Sequence, residues 1–278
     1  MKPRFPITDV DIEISHGKKE VDVALYDDGY YRLNQNEFSM DVEGVGWFYV
    51  SDGRHIYVSC YPGCDLAAVE LYLNGSVYGA VLHQRKIVPM HGSCFRYHGI
   101  GVMLCGDTGA GKSSLTASFC LNGAEFLTDD ITPLLYRNGK PYIWALSDRM
   151  KLWSDALRQL EKDEKGLHRI DPVTEKYYYP MDKKQGNRYR LHRVYVIEVT
   201  DNGDVVFEEL SGSSRFATLR NEIYRPEYLQ GMPENEPVYF NNLIDLGTHT
   251  RVFRLRRSNK VLINELMLLM KKHMDNKK

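Results

Sequence analysis

The sequence lacks any apolar run that approaches the roughly 18 residues needed by a membrane-spanning helix. It has five cysteines, an odd number, which argues against a disulfide framework and favours a reducing compartment. Its formal net charge is only −1, so the composition gives no reason to expect nucleic acid or an anionic membrane as a partner. Residues 1–6 lead into acidic, alternating sequence and not into the apolar core of a signal peptide. We therefore expect a cytoplasmic protein with no membrane span and no nucleic-acid partner.

The composition supports a sizeable core, because 43% of the 278 residues are hydrophobic and 12% are aromatic. Short alternating apolar runs over residues 8–60, broken by Asp-Gly pairs, predict antiparallel strands. Apolar residues spaced three to four apart over 65–82 predict a helix. The chain has no internal repeat and no low-complexity linker. We expect one α/β domain over 1–278, with a β-rich amino-terminal part (1–86) and a core with carboxyl-terminal elements (87–278).

The most informative segment is 106–113, which reads Gly-Asp-Thr-Gly-Ala-Gly-Lys-Ser and is a complete phosphate-binding loop of the form G-x-x-x-x-G-K-[ST]. An apolar run at 100–105 predicts a buried strand before the loop, and residues 114–120 can form a helix after it. The glycines let backbone N–H groups turn towards phosphate oxygens, and the helix dipole favours the same anion. Lys112 would reach the β- and γ-phosphates, and the Ser113 hydroxyl would bind Mg²⁺. The predicted nucleotide-binding residues are Gly106, Asp107, Thr108, Gly109, Ala110, Gly111, Lys112, Ser113 and Ser114.

Two adjacent carboxylates follow at the distance that a nucleotide site requires. Asn122-Gly123 predicts a helix stop, residues 124–128 predict a short strand, and that strand ends in Asp129-Asp130. Ligands of α/β sheets bind at the carboxyl ends of strands. A phosphoryl-transfer site needs one acid for the metal and another to orient or deprotonate the attacking hydroxyl. We predict that Asp129 and Asp130 divide these two roles, in an order that the sequence leaves open.

His91 is a third candidate. The turn residues His98-Gly99 predict a hairpin whose second strand delivers the phosphate loop and whose first strand starts at His91. A lone histidine is more often a structural hydrogen-bonding residue than a catalytic one, so position alone leaves both interpretations open.

Together these elements resemble the HPr kinase/phosphorylase family, and more closely its shorter serine-kinase relatives, which lack the large amino-terminal domain of the HPr enzymes. The resemblance is carried by these segments, in order: Leu82-His83-Gln84-Arg85, His91-Gly92, Gly106–Ser113, the strand 123–130 with its Asp-Asp end, and Lys151-Leu152-Trp153. The resemblance is strong over residues 80–155 and weaker over most of the rest of the chain. It implies a P-loop nucleotide-binding core of the HPr kinase/PEP carboxykinase type that uses ATP and Mg²⁺ to phosphorylate serine. His91, Lys112, Asp129 and Asp130 carry over as phosphate-handling and base residues, and Ser113, with the two aspartates, as metal ligands.

Departures from the family limit the analogy. Ser114 stands where the HPr enzymes usually have glutamate, and 226–237 contains no counterpart of their carboxyl-terminal signature. No residue can be assigned as their additional metal-binding glutamate. The analogy therefore does not extend to HPr as substrate or to the reverse phosphorylase reaction.

The leading hypothesis is an ATP- and Mg²⁺-dependent serine kinase whose partner is a small protein or peptide bearing serine. Three alternatives stay open: a kinase that modifies the precursor peptide of a ribosomal natural product, a non-catalytic ATP-binding regulatory protein, and a small-molecule kinase.

Two further features, the basic cluster and the closing helix, have two interpretations each. The basic cluster Lys183, Lys184, Arg188, Arg190, His192 and Arg193 is either the source of a transition-state arginine or a charged strand edge. Residues 152–164 predict a helix, as do 219–225. For the apolar closing helix, 260–274, burial against a sheet is the favoured interpretation and a homo-oligomer contact is the alternative.

Overall fold

A computed structural model describes residues 13–145, 147–182 and 187–276 of the chain. The fold is mixed α/β with three sheets among these residues. The chain divides into two compact units, Met1–Pro89 with Ile223–Asn242, and Met90–Glu222 with Leu243–Lys278. Within the described ranges, no helix combines the length and the apolar character needed to cross a membrane.

The first unit is built on a six-stranded sheet in the order β1-β6-β5-β4-β3-β2, antiparallel except for the parallel pair β1 and β6. Its strands are β1 (Glu13–His16), β2 (Tyr26–Asp27), β3 (Tyr31–Leu33), β4 (Glu37–Val42), β5 (Gly46–Ser51) and β6 (His55–Cys60). The predicted antiparallel strands of the amino-terminal part are therefore confirmed.

A helical segment follows the sheet, as the three-to-four spacing predicts. It consists of α1 (Leu66–Tyr72), a π-helical turn (Leu73–Val77) and α2 (Tyr78–Gln84). The fully buried ring of His83 pairs with the Tyr224 carbonyl oxygen at 2.9 Å and the Tyr239 hydroxyl at 3.1 Å. Burial lowers the His83 pKa to about 4. These contacts join residues 223–242 to the rest of the first unit.

The second unit contains a nine-stranded sheet, a three-stranded sheet and five helices among the described residues; the chain enters it within β7 (Val88–His91). The further strands of the large sheet are β8 (Ser93–Tyr97), β9 (Ile100–Gly106), β10 (Glu125–Thr128), β11 (Ile131–Arg137), β12 (Lys140–Trp144), β16 (Arg188–Thr200), β17 (Val206–Glu209) and β18 (Arg251–Ser258). The small sheet contains β13 (Arg149–Trp153), β14 (His168–Arg169) and β15 (Lys176–Pro180). The helices are α3 (Lys112–Leu121), α4 (Ser154–Gln159), α5 (Gly212–Asn221), α6 (Asn235–His249, shared with the first unit) and α7 (Ile263–Asn276).

Strand β9 lies in the interior of the large sheet, whose main order is β10-β8-β9-β16-β12-β11-β7. It pairs antiparallel with β8 across the predicted turn at His98-Gly99, and parallel with β16. Buried residues 101–106 make it a continuous apolar strand, as expected for a strand covered on both faces. The phosphate loop therefore leaves the sheet from a rigid central strand.

The apolar closing helix is buried against this sheet, as the favoured interpretation expected. Leu266, Met267, Met270 and Met274 on α7 pack in one core cluster with residues of β9, β16 and β18. Leu268, on another face of the helix, is 55% exposed.

Two predicted helices differ from the structure. Over 152–164, only Ser154–Gln159 is helical, because Met150 and Leu152 alternate with Lys151 and so belong to β13. In the second case, α5 ends at Asn221, and Arg225 adopts a left-handed backbone (φ 53°) before a 3₁₀ helix at Pro226–Gln230. Helix α6 and strand β18 were not predicted.

We predict that Met270→Ala lowers the free energy of unfolding by about 2–5 kcal/mol, because it opens a cavity at a fully buried position. Leu268→Ala, in the same helix but mostly exposed, is the matched control and should change it by less than about 0.5 kcal/mol. Urea unfolding followed by circular dichroism measures both. Equal losses for the two variants would contradict burial of this helix face.

Candidate functional site

The predicted phosphate loop lies between strand β9, which ends at Gly106, and helix α3, which begins at Lys112. Gly106 has φ +123°, and a Cβ atom there would collide with the carbonyl oxygen of Ile197 on β16. Gly111 has φ +98°, and its missing Cβ would stand 3.2 Å from a guanidinium nitrogen of Arg257. Gly106 therefore requires glycine for conformation and for space, and Gly111 requires it for conformation.

Lys112 is folded back over the loop and is only 8% exposed. Its Nζ donates to the carbonyl oxygens of Gly106 at 2.6 Å and Asp107 at 3.1 Å. The ammonium group is thereby held at the loop, and it lines the pocket described below.

The two adjacent aspartates make different contacts. Asp129 is buried; its Oδ1 accepts a hydrogen bond from Ser113 Oγ at 2.7 Å, and its Oδ2 accepts one from the Lys151 backbone N–H at 2.9 Å. Asp130 has a left-handed backbone (φ 71°), which is uncommon for a non-glycine residue and typical of constrained functional positions. The Asp130 carboxylate lies 2.6 Å from Lys151 Nζ and 3.9 Å from His91 Nε2.

Charges around Asp130 keep it ionised. Burial acts to raise the pKa of this carboxyl, but the attraction and hydrogen bond of Lys151, aided by Lys176, outweigh burial and hold the pKa well below its usual value. Asp130 is therefore a carboxylate throughout the physiological pH range.

His91 is the last residue of β7, so the prediction that it starts the first strand of the hairpin is wrong. Its backbone N–H donates to the Glu222 carbonyl oxygen at 2.7 Å, and β8 begins only at Ser93, which pairs with Leu104. Burial, and secondly the positive charge of Lys112, lower the pKa of the His91 imidazole, although Asp130 and Asp129 act in the opposite direction. The ring is therefore neutral at pH 7.

Glu222, at the end of α5, was not predicted as a site residue. Its Oε2 accepts a hydrogen bond from the Gly106 backbone N–H at 2.9 Å, while its carbonyl oxygen holds His91. Burial raises the pKa of this carboxyl, and the Gly106 hydrogen bond and Lys112 counteract part of that effect. Glu222 thus fixes the start of the loop and the position of His91 together.

Eight of the twelve predicted residues line one pocket of about 350 Å³ in the second unit. Among its lining residues are His91, Thr108, Gly109, Gly111, Lys112, Ser113, Ser114 and Asp130 from the prediction, and Lys151, Trp153, Lys176, Arg257, Asn259 and Val261 beyond it. Gly106, Asp107, Ala110 and Asp129 were also predicted but do not line it. Lys151 and Trp153 lie in the Lys-Leu-Trp segment that carried the resemblance, whereas no sequence signal marks Lys176 or Arg257.

The side chains of the basic cluster do not line this pocket where they are described. Arg190 donates to the carbonyl oxygens of Pro141 and His249, and Arg193 donates to that of Met274. His192 Nδ1 accepts from the Gly101 backbone N–H. Lys183 and Lys184 lie outside the described residues.

A metal ion would find oxygen donors at the loop. The Ser113 hydroxyl and the Asp129 carboxylate lie side by side, and hard oxygen donors of this kind suit Mg²⁺. In the described ranges, no group of three or more His, Cys, Asp or Glu side chains is arranged to hold a metal ion. A Ser-Asp pair together with phosphate oxygens and water is the usual magnesium environment in nucleotide sites.

Comparisons with known proteins identify no family for the chain. No family model matches the sequence, and no curated protein matches it. Among solved structures, the chain is similar to that of the Hpr(Ser) kinase/phosphatase from Coxiella burnetii, at 13% identity and a TM-score of 0.36, over 68% of this chain and 97% of that chain. A likeness this weak says nothing about activity, so membership of the HPr kinase family stays a prediction.

We predict that the His91 imidazole titrates below the ordinary value of 6.5, because burial and Lys112 both disfavour its cation. Lys112→Met should raise this pKa, while His83, which titrates at about 4 for lack of solvent, should be unchanged. NMR titration of the histidine ring protons measures both. Since the folded pKa is depressed, His91 stabilises the fold fully above pH 6.5, and this stability is lost as the pH falls from 6.5 towards the folded pKa. A His91 pKa at or above 6.5 would contradict the geometry of the site.

Proposed function

We propose that the protein is an ATP- and Mg²⁺-dependent kinase that phosphorylates a serine hydroxyl on a small protein or peptide. The observation that carries the proposal is the convergence of the phosphate loop, the Ser113–Asp129 pair, and Asp130 beside His91 around one pocket. Each phosphoryl-transfer requirement has a residue in place: phosphate binding, metal binding and an acid that faces the acceptor.

The triphosphate is bound by the loop backbone and by Lys112. Glycines 106, 109 and 111 have positive φ angles, which lets the loop curve around an anion at the amino terminus of α3. Ser113 and Asp129 would hold Mg²⁺, which when bound supplies neutralisation of the phosphate oxygens. We assign Asp129 as the metal ligand of the two aspartates, because its carboxylate contacts the Ser113 hydroxyl.

Asp130 is then the residue that faces the acceptor. It orients the serine hydroxyl and takes its proton as the new bond from the serine oxygen to the γ-phosphorus forms and the bond to the ADP oxygen breaks. His91, neutral and 3.9 Å from Asp130, is placed to hydrogen-bond the γ-phosphate or the carboxylate. Protons and charge are conserved in this step, because the hydroxyl proton passes to Asp130 and ADP leaves as the anion.

One observation favours the non-catalytic alternative. The low pKa of Asp130, caused by Lys151 against the effect of burial, makes this carboxylate a weak base. Phosphoryl transfer, however, passes through a loose transition state in which little proton transfer is needed early, so orientation by Asp130 matters more than its basicity. We therefore keep the kinase as the leading function and the ATP-binding regulatory protein as the second.

We predict different defects for the two aspartates. Asp130→Asn should retain ATP affinity within a few-fold while phosphate transfer falls by about 10²–10⁴, because the lost group acts only on the acceptor. Asp129→Asn should instead raise the Mg²⁺ concentration needed for ATP binding. Calorimetry of ATP binding at several Mg²⁺ concentrations, with phosphate transfer measured on the same samples, separates the two effects.

This experiment includes one variant that should lose activity and one that should behave as wild type. Lys112→Ala should reduce transfer by at least about 10²-fold through loss of charge at the β- and γ-phosphates. Asp204→Asn, an exposed aspartate in a loop of the same unit, should behave as wild type. Wild-type turnover in Lys112→Ala would show that the site is wrongly assigned. Metal-dependent ATP binding by the wild type, with no transfer to any peptide, protein or small molecule, would favour the regulatory protein.

We further predict serine as the preferred acceptor. In this proposal the Asp130 carboxylate lines the pocket and faces the acceptor, and it repels an acidic small molecule more than a neutral hydroxyl. Threonine should react about a hundredfold more slowly, because its extra methyl group displaces the hydroxyl by a distance on the order of 1 Å. Competition among serine, threonine and tyrosine peptides, read by mass spectrometry, measures the order. Preference for tyrosine, or turnover of oxaloacetate without peptide modification, would overturn it.

A further inference from the structure

One face of the small sheet lines the pocket with residues that the proposed mechanism has not used. In the antiparallel pair β13 and β15, Trp153 stands opposite Lys176. Directly opposed residues share a sheet face, and Lys151, two positions before Trp153, lies on that same face. All three side chains line the pocket beside Asp130.

The other face of the same strands fixes this arrangement. Met150, Leu152 and Tyr177 are buried in a core cluster with Leu157 and with Ala117 of α3. A slip of one residue would turn the lysines into this core and the apolar residues into the pocket. The two lysines are therefore directed into the pocket by the register of the sheet.

The cations in the pocket differ in their partners. Lys112 donates to loop carbonyl groups, Arg257 donates to the Ala110 carbonyl oxygen, and Lys151 is paired with Asp130. The Lys176 ammonium, within the part of the chain that the structure describes, makes neither a hydrogen bond nor an ion pair and stands 5.4 Å from the centre of the Trp153 ring. Burial lowers the pKa of Lys176 despite the opposing attraction of Asp130 and Asp129. A half-buried cation that makes no direct ion pair is costly, and an anion bound beside it in the pocket would reduce that cost.

We propose that Lys176 and Lys151 bind the terminal phosphoryl group of the nucleoside triphosphate, on the side of the pocket where Lys151 contacts Asp130. The inference rests on the proposed function and deepens it, since these lysines would distinguish a triphosphate from a diphosphate. The loop binds the inner phosphates, and the sheet face lies on the side of Asp130, where the last phosphate meets the acceptor.

The pairing of Lys151 with Asp130 gives this binding a second effect. When a phosphoryl group takes Lys151 Nζ as a partner, the Asp130 carboxylate is left with an oxygen available for the acceptor hydroxyl. Nucleotide binding and preparation of the acceptor side are thereby linked through one ion pair, with no bond made or broken by either lysine.

The test compares affinities for ATP and for ADP, each with Mg²⁺, by isothermal titration calorimetry. In Lys176→Met the ATP affinity should fall about tenfold or more, because a charge-assisted hydrogen bond is lost, while the ADP affinity stays within about twofold of wild type. Lys176→Arg, which retains the charge, should recover most of the ATP affinity. Lys165→Met, an exposed lysine of the same unit, is the matched control and should leave both affinities unchanged.

Lys151→Met provides the same comparison on a second side chain and should show the same selective loss of ATP affinity. Circular dichroism establishes that each variant is folded. Equal losses for ATP and ADP, or none in either lysine variant, would overturn the inference while leaving the kinase proposal intact. Failure of the wild type to bind ATP at all would instead overturn the proposed function.

Discussion

The buried carboxylate of Asp129 is the constraint on which the geometry of the site depends. One oxygen accepts the Ser113 hydroxyl at the first turn of α3, and the other accepts the Lys151 backbone N–H on β13. A buried carboxylate oxygen without a partner would be costly, so both hydrogen bonds are strongly favoured. The Asp129 side chain therefore connects three segments: the phosphate loop, the end of β10, and the strand that brings Lys151 and Trp153 into the pocket.

Most of the charged side chains that line the pocket are positive. Lys112, Lys151, Lys176 and Arg257 line the pocket, and the acidic side chains among the described residues that line it are Asp130 and Asp155. Like charges held close together in a partly buried site destabilise the protein that carries them. Under the proposed function, a bound polyanion would relieve this repulsion, and the cations would be preorganised for phosphate.

The parts of the site that could be predicted from the sequence are segments that are continuous along the chain. The loop with its strand and helix, and the Asp-Asp end of β10, are local patterns whose geometry follows from glycine and from strand ends. Lys176, Arg257 and Glu222 are single residues in distant segments, and only the pairing of strands brings them to the pocket. Helix α6 was missed for another reason: Pro237 argues against a helix, yet it lies in the first turn, where no N–H partner is lost. At 152–164, the predicted helix began too early, because the alternating strand pattern around Lys151 runs directly into the short helix α4.

The left-handed backbone of Asp130 restricts what evolution can place at this position. At φ 71°, glycine, asparagine and aspartate are the residues that fit without appreciable strain. Of these three, aspartate alone carries a negative charge. If the protein has the kinase activity proposed above, a lineage that lost this activity but retained the fold would drift to asparagine or glycine here, and not to alanine or glutamate. The residue at this one position would then separate active chains from inactive descendants in any set of related sequences.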